Sequence, residues 1–248
     1  MFKDQNIVFF GANSAQAKAI ASKLSELGAN LTLTSRDITK LEQFAASINA
    51  TSIQCDASDF KAVEEVFKVA EEKNGAINAA VNCAGSLLLK SAHMTREAEY
   101  NAVIQANLTT AFAVTRAACK AMLRSGGSIL LFSSAAGKIG LANHEAIAAA
   151  KAGIIGLVKT AAASYASNKI RVNAIAPGLV EAAITESLLR NEMSRKFSEA
   201  MHPIGRVGSA EDIVDPAILL LNPKNDWITG ETISVDGGLA RVKPKIKA

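Results

Sequence analysis

Short apolar runs recur along this chain, each ending in small or polar residues and each followed by a stretch with helical periodicity. The runs fall at 6–10, 30–34, 52–55, 77–81, 128–132, 170–175 and 232–235. Between them lie an Ala-rich helical pattern up to about Leu27, stopped by Gly28, and an amphipathic one over 38–48. A third, over 60–73, repeats Val63, Val66, Phe67 and Ala70 on one face. Residues 96–124 read as a single long helix, an Ala-rich helix carries Lys151, and another helix spans 210–221. Strands that alternate with helices at this period predict an α/β fold with a doubly wound parallel sheet of about seven strands, because a parallel neighbour is reached only through a crossover. Repeats, low-complexity tracts and linkers are not seen, so residues 1–248 are expected to form one Rossmann-type domain. In such sheets ligands sit outside the carboxyl ends of the strands.

Composition removes several other kinds of protein. With 248 residues and 49% hydrophobic content the chain can bury a large core. The net charge is 27 − 23 = +4. Arg241, Lys243, Lys245 and Lys247 in the tail 241–248 supply all of it, which leaves a balanced body without the basic stripe of a nucleic-acid binder. The tail reads as a solvated terminus. No apolar run is expected to span a membrane, and the first residues lead into a strand instead of a signal peptide. Cys55, Cys83 and Cys119 are scattered without metal spacing, so no metal is expected. Reduced thiols point to a cytoplasmic location.

The polar residues at the run ends carry the chemistry. Gly11-Ala12-Asn13-Ser14-Ala15 lies between a strand and a helix start, where backbone N–H groups and the helix dipole suit a pyrophosphate. Thr34-Ser35-Arg36-Asp37 ends the second strand. At the end of the run 128–132 come Ser133 and Ser134, and one helix later Lys151, so a hydroxyl and an ammonium converge above the sheet.

On these residues the chain resembles the classical short-chain dehydrogenase/reductase family, whose signature is a Ser and then Tyr-x-x-x-Lys. Ser134 and Lys151 match it; the Tyr position is Ile147. The family's Gly-x-x-x-Gly-x-Gly loop keeps Gly11, with Ala15 and Ala17 at the other two glycines. The resemblance implies cofactor contacts from Gly11, Asn13, Ser14 and Ala15, and from Asp56 with Ala57 at the adenine. It implies further contacts from Asn82, Ala84 and Gly85 in a turn resembling Asn-Asn-Ala-Gly. Ser35 and Arg36 stand where an acid would select NAD(H), so NADP(H) is expected, its 2′-phosphate gripped by the guanidinium. Asn107 matches a residue that holds a water near the lysine. Residues 170–178 match most closely, which implies that Pro177, Gly178 and the backbone of Val180 face the nicotinamide. Lys151 would also bind the cofactor. The resemblance extends through Pro203-Ile204-Gly205-Arg206 to Val235-Asp236-Gly237-Gly238, nearly the whole chain.

A lid-like segment, about 180–205, carries Ile184, Leu188, Leu189, Met193 and Phe197 at helical spacing. Core packing accounts for that stripe first, a greasy substrate second. Tyr100 is read as a core aromatic. Ala113, Ala117, Ala118 and Ala121 are expected to form a flat interface of a homotetramer, as in relatives.

In the family the Tyr passes a proton to or from the substrate oxygen, the Lys lowers its pKa, and the Ser holds the oxygen. Ile147 can do neither half of a proton transfer. His144, seven residues before Lys151 and one turn from Ile147, lies on nearly the same helix face and can titrate near neutrality. A capping or solvated histidine is the other account. Three functions follow. One is an NADP(H)-dependent oxidoreductase acting on a carbonyl/alcohol or an activated double bond, with a non-standard acid. The second is a cofactor-binding sensor or partner subunit without turnover. The third is an interaction protein using the tail.

Overall fold

The computed structural model describes residues 2–243, so Lys245 and Lys247 of the basic tail lie outside the described residues. Strand β1 (Asn6–Phe10) is buried along its whole length and shows why both faces of the sheet must be covered. Ile7 and Phe9 enter one apolar layer, Val8 and Phe10 the other, as the two-residue period of a strand requires. The other strands are β2 (Asn30–Ser35), β3 (Thr51–Gln54), β4 (Ile77–Asn82), β5 (Gly127–Phe132), β6 (Ile170–Pro177) and β7 (Thr232–Val235). All pair in parallel, in the order β3-β2-β1-β4-β5-β6-β7. The order reverses between β1 and β4, which opens a crevice at their carboxyl ends.

Among the described residues the α-helices are α1 (Ala15–Glu26), α2 (Thr39–Ser47), α3 (Phe60–Asn74), α4 (Glu97–Ile104) and α5 (Thr110–Met122). They continue with α6 (Glu145–Tyr165), α7 (Glu186–Leu189), α8 (Glu192–Met201) and α9 (Glu211–Leu221). Buried residues of α1, α2 and α9 pack with Ile7, Phe9, Leu33 and Val81 on one face. Those of α3, α5 and α6 pack with Val8, Phe10, Leu131 and Val172 on the other.

Four expectations change here. The single helix over 96–124 is two, α4 and α5, joined through a wider π-helical turn, Gln105–Thr109, that contains Asn107. Ala113, Ala117 and Ala118 do not offer an interface: they are fully buried in their own subunit's core, and Ala121 packs beside it. Tyr100 is exposed on α4 instead of packed inside. Finally, one helix, Glu145–Asn168, is long and apolar enough by composition to cross a membrane. It is apolar because Ile154, Val158, Ala161 and Ala162 pack into the core against the sheet.

Candidate active site

The crevice at the strand ends is a cavity of about 930 Å³. Every residue proposed from sequence for cofactor or chemistry lines it, with one exception. Asn82 lies beneath, its Oδ1 accepting from the Ala84 N–H at 3.1 Å and its Nδ2 donating to Thr110 Oγ1 at 3.3 Å. It shapes the turn instead of touching a ligand.

The first loop is built for close approach. Gly11 has φ +73°, and a Cβ there would stand 2.4 Å from the Ala84 nitrogen. Backbone of β1's loop and β4's loop therefore run against each other only because Gly11 lacks a side chain. Ser14 caps α1 by accepting from the Ala17 N–H at 3.2 Å. Among the described residues the Ala15 and Gln16 N–H groups have no backbone or side-chain acceptor, as expected of a helix start that faces a ligand. Asn13 donates to Ser35 Oγ at 2.7 Å and to the Asp37 carbonyl at 2.8 Å, which ties this loop to the end of β2. Its buried Oδ1 has no partner, a polar atom left for a ligand donor.

Arg36 is exposed at that same end. Asp37 turns away from the crevice, its carboxylate accepting from Thr39 Oγ1 at 2.6 Å and lying 3.4 Å from Lys40 Nζ. Asp56 accepts from the Ser58 N–H and hydroxyl, which hold its carboxyl below the usual range with help from Arg36 nearby. Gly11, the α1 start and the unpartnered Asn13 oxygen thus fit the diphosphate and adenosine of a nicotinamide cofactor.

At the other end, Lys151 of α6 donates from Nζ to the Phe132 carbonyl at 2.8 Å. Loss of water around Nζ pushes its pKa down to about 8. Asn107 is fully buried, donating to the Val103 carbonyl at 2.9 Å and to Ser86 Oγ at 3.1 Å. A Cβ on Gly85 would lie 2.9 Å from Asn107 Oδ1 and 3.7 Å from Lys151 Nζ, so glycine leaves the space in front of both. Ser134 Oγ accepts from the Ala136 N–H at 3.2 Å, which leaves its own O–H to donate into the crevice. Ile147 lines the crevice and is otherwise buried with Val103, Ala146 and Ala150.

His144 stands at the start of α6. Its Nδ1 is 2.7 Å from the Ala142 carbonyl, which can only accept, so Nδ1 carries a hydrogen and Nε2 remains available. Sequence reasoning missed two polar groups of this wall. Cys83 lines the crevice, its thiol pushed up to about 12 by burial. His202, at the end of α8, is 4% exposed and reaches back to the turn after β6. Its Nε2 accepts from the Leu179 N–H at 3.1 Å, and its Nδ1–H donates to the Ser198 carbonyl at 2.7 Å. The ring lies so close to Gly178 that a Cβ there would meet Nε2 at 2.6 Å.

The lid stripe is not core packing throughout. Leu189 is buried, but Ile184, Leu188 and Phe197 line the crevice. Met193 is 81% exposed.

A seven-stranded parallel sheet whose switch-point crevice carries a glycine-cradled helix start and a Ser/Lys pair defines a Rossmann-type dinucleotide-binding oxidoreductase fold. Comparisons agree. The family model described as Enoyl-(Acyl carrier protein) reductase matches residues 11–240. The 3-oxoacyl-(acyl-carrier-protein) reductase of Vibrio harveyi is 32% identical over 239 residues, 94% of this chain and 96% of that protein. A Xanthobacter autotrophicus protein named inactive 2-(S)-hydroxypropyl-CoM dehydrogenase 2 is 34% identical over 222 residues, 87% and 96% of the two chains. The crystal structure of levodione reductase superposes with a TM-score of 0.90 at 28% identity, covering 97% of this chain and 99% of that one. The chain belongs to the short-chain dehydrogenase/reductase family, whose members are oxidoreductases that use a nicotinamide cofactor.

Proposed function

We propose that the protein is an NADP(H)-dependent oxidoreductase acting on the carbonyl/alcohol or activated double bond of a small substrate. The observation that carries this reading is the Lys151 ammonium and the donating Ser134 hydroxyl lining one crevice with Arg36. When bound, the nicotinamide supplies or accepts hydride. Ser134 orients the substrate oxygen by its O–H. Lys151 holds the cofactor's ribose and keeps positive charge beside the reacting oxygen. Arg36 binds the 2′-phosphate, while Asp37 beside it is engaged by Thr39 and Lys40. His144 Nε2 carries the proton that the apolar Ile147 cannot.

A second reading is favoured by Ile147 itself: a cofactor-binding protein without turnover, since an apolar side chain occupies the family's acid position. Fluorescence titration with NADPH, followed by NADPH oxidation across ketones and enones, separates the two. Turnover supports the first reading, tight binding without turnover supports the second, and no binding sinks both.

An oligomer remains part of the proposal on different residues from the alanines. Phe112 of α5 is 51% exposed beside Phe60, with ring centroids 6.1 Å apart. Light scattering of the native protein and of Phe112→Asp tests it: a monomer in both cases removes the assembly from the proposal.

A further inference from the structure

We infer that the substrate of this crevice is electrically neutral and carries an apolar chain, with a single oxygen function at the reacting end. This rests on reading the crevice as an oxidoreductase site. Among the described residues lining it, the side chains charged at neutral pH are Arg36, Asp56 and Lys151. Arg36 and Asp56 follow β2 and β3, on the far side of β1 from Ser134. Lys151 is bonded to the Phe132 carbonyl. Beyond Ser134 the walls are Leu89, Leu141, Ile147, Ile184, Leu188 and Phe197, drawn from four separate stretches of chain.

The polar groups among them are mostly committed. Thr185 Oγ1 donates to the Val180 carbonyl at 2.7 Å and accepts from the Ala182 N–H at 3.0 Å. Ser198 Oγ donates to the Ser194 carbonyl at 2.8 Å, and both nitrogens of His202 are used. Ser134, the Ser86 O–H next to Asn107 and His144 Nε2 remain, enough for one oxygen function at the reacting end. A carboxylate or sulfonate brought in here would give up part of its water without gaining a cation. A polyol would leave hydroxyls unpaired at about 1–3 kcal/mol each. An apolar chain meets the opposite situation. Ile184 and Phe197 are 51% and 67% exposed, and a chain lying against them removes that surface from water.

The test compares a medium-chain 2-alkanone with the oxo acid of the same length, by calorimetric binding in the presence of NADP⁺ and by NADPH oxidation. The ketone is expected to bind at least roughly tenfold more tightly, the ratio that about 1.4 kcal/mol of uncompensated hydration loss produces. Ile184→Arg and, separately, Phe197→Arg place a cation at positions exposed enough not to disturb folding, and each is expected to close or reverse that gap. Equal or tighter binding of the oxo acid by the native protein overturns the inference, as does binding of neither ligand. Ketone binding without NADPH oxidation upholds it and counts instead against turnover.

Discussion

The Lys151 ammonium lies 2.8 Å from the carbonyl oxygen of Phe132, the last residue of β5. The same strand end answers with Ser133 Oγ, which donates to the Lys151 carbonyl at 2.8 Å. Helix α6 is thereby fastened at one turn to the strand that presents Ser134. The ammonium has a carbonyl dipole there and no carboxylate partner among the described residues, which is why burial lowers its pKa.

That placement makes stability depend on pH in a defined direction. Lys151 releases its proton at about 8 in the folded protein and 10.5 in its ordinary state. Between those values the unfolded chain binds more protons, so the Lys151 contribution to stability rises with pH across this window. Below about pH 8 the cost of the buried charge is fully present. Lys151→Met should therefore gain most over the native protein at pH 7 and lose that relative gain by pH 10. Urea unfolding of both proteins at the two pH values measures it; a constant difference would rule the effect out.

Arg36 should decide between the two nicotinamide cofactors. It is exposed at the end of β2, and neither Ser35 nor Asp37 presents a carboxylate to the crevice. NADPH should bind more tightly than NADH by roughly 10-fold to 100-fold, the worth of one or two charge-assisted hydrogen bonds. Arg36→Asp should invert the order. Titration by cofactor fluorescence reads both; equal affinities in the native protein would refute the assignment.

His202 should hold the lid to the turn after β6. In His202→Phe, the Leu179 N–H and the Ser198 carbonyl lose their partners, at about 1–3 kcal/mol each. Faster hydrogen exchange at Leu179 and weaker NADPH binding are expected together. His202→Gln restores an acceptor and should recover both in part. Unchanged Leu179 exchange in the phenylalanine variant would show that the histidine holds nothing.

What the sequence made legible follows from which signals are local. The parallel sheet was legible because its central strands β2, β1, β4, β5 and β6 are nearly continuous buried runs, and Gly11 because a turn between strand and helix demands it. The π-helical turn at Asn107 was not, since one extra residue per turn leaves the apolar pattern of 96–124 nearly unbroken. Ala113, Ala117 and Ala118 form the same stripe whether it meets a second subunit or its own sheet, and only the packing tells which. The lid stripe misled in the reverse sense, toward a core that Ile184 and Phe197 do not enter. His202 gave no signal beyond its place between an apolar stripe and Pro203-Ile204-Gly205; its partner Leu179 is 23 residues away.

The sharpest prediction concerns His144 and Ile147. If His144 replaces the missing phenol, His144→Ala should lower the turnover rate by roughly 10²-fold or more, the usual worth of general acid–base assistance. Its Nδ1 is held by the Ala142 carbonyl, so the proton in question is on Nε2. Ile147→Tyr probes the same point from the other side. Ile147 is 3% exposed among Val103, Ala146 and Ala150, so a ring there must turn toward the crevice, at an overpacking cost of about 1–3 kcal/mol that thermal unfolding will register. With Ser134 and Lys151 in place, a phenol in the crevice should create or raise carbonyl reduction. An unchanged rate in His144→Ala ends the histidine assignment. A native protein that binds NADPH but reduces nothing, beside an Ile147→Tyr variant that does, would identify a cofactor-binding protein that has lost only its acid.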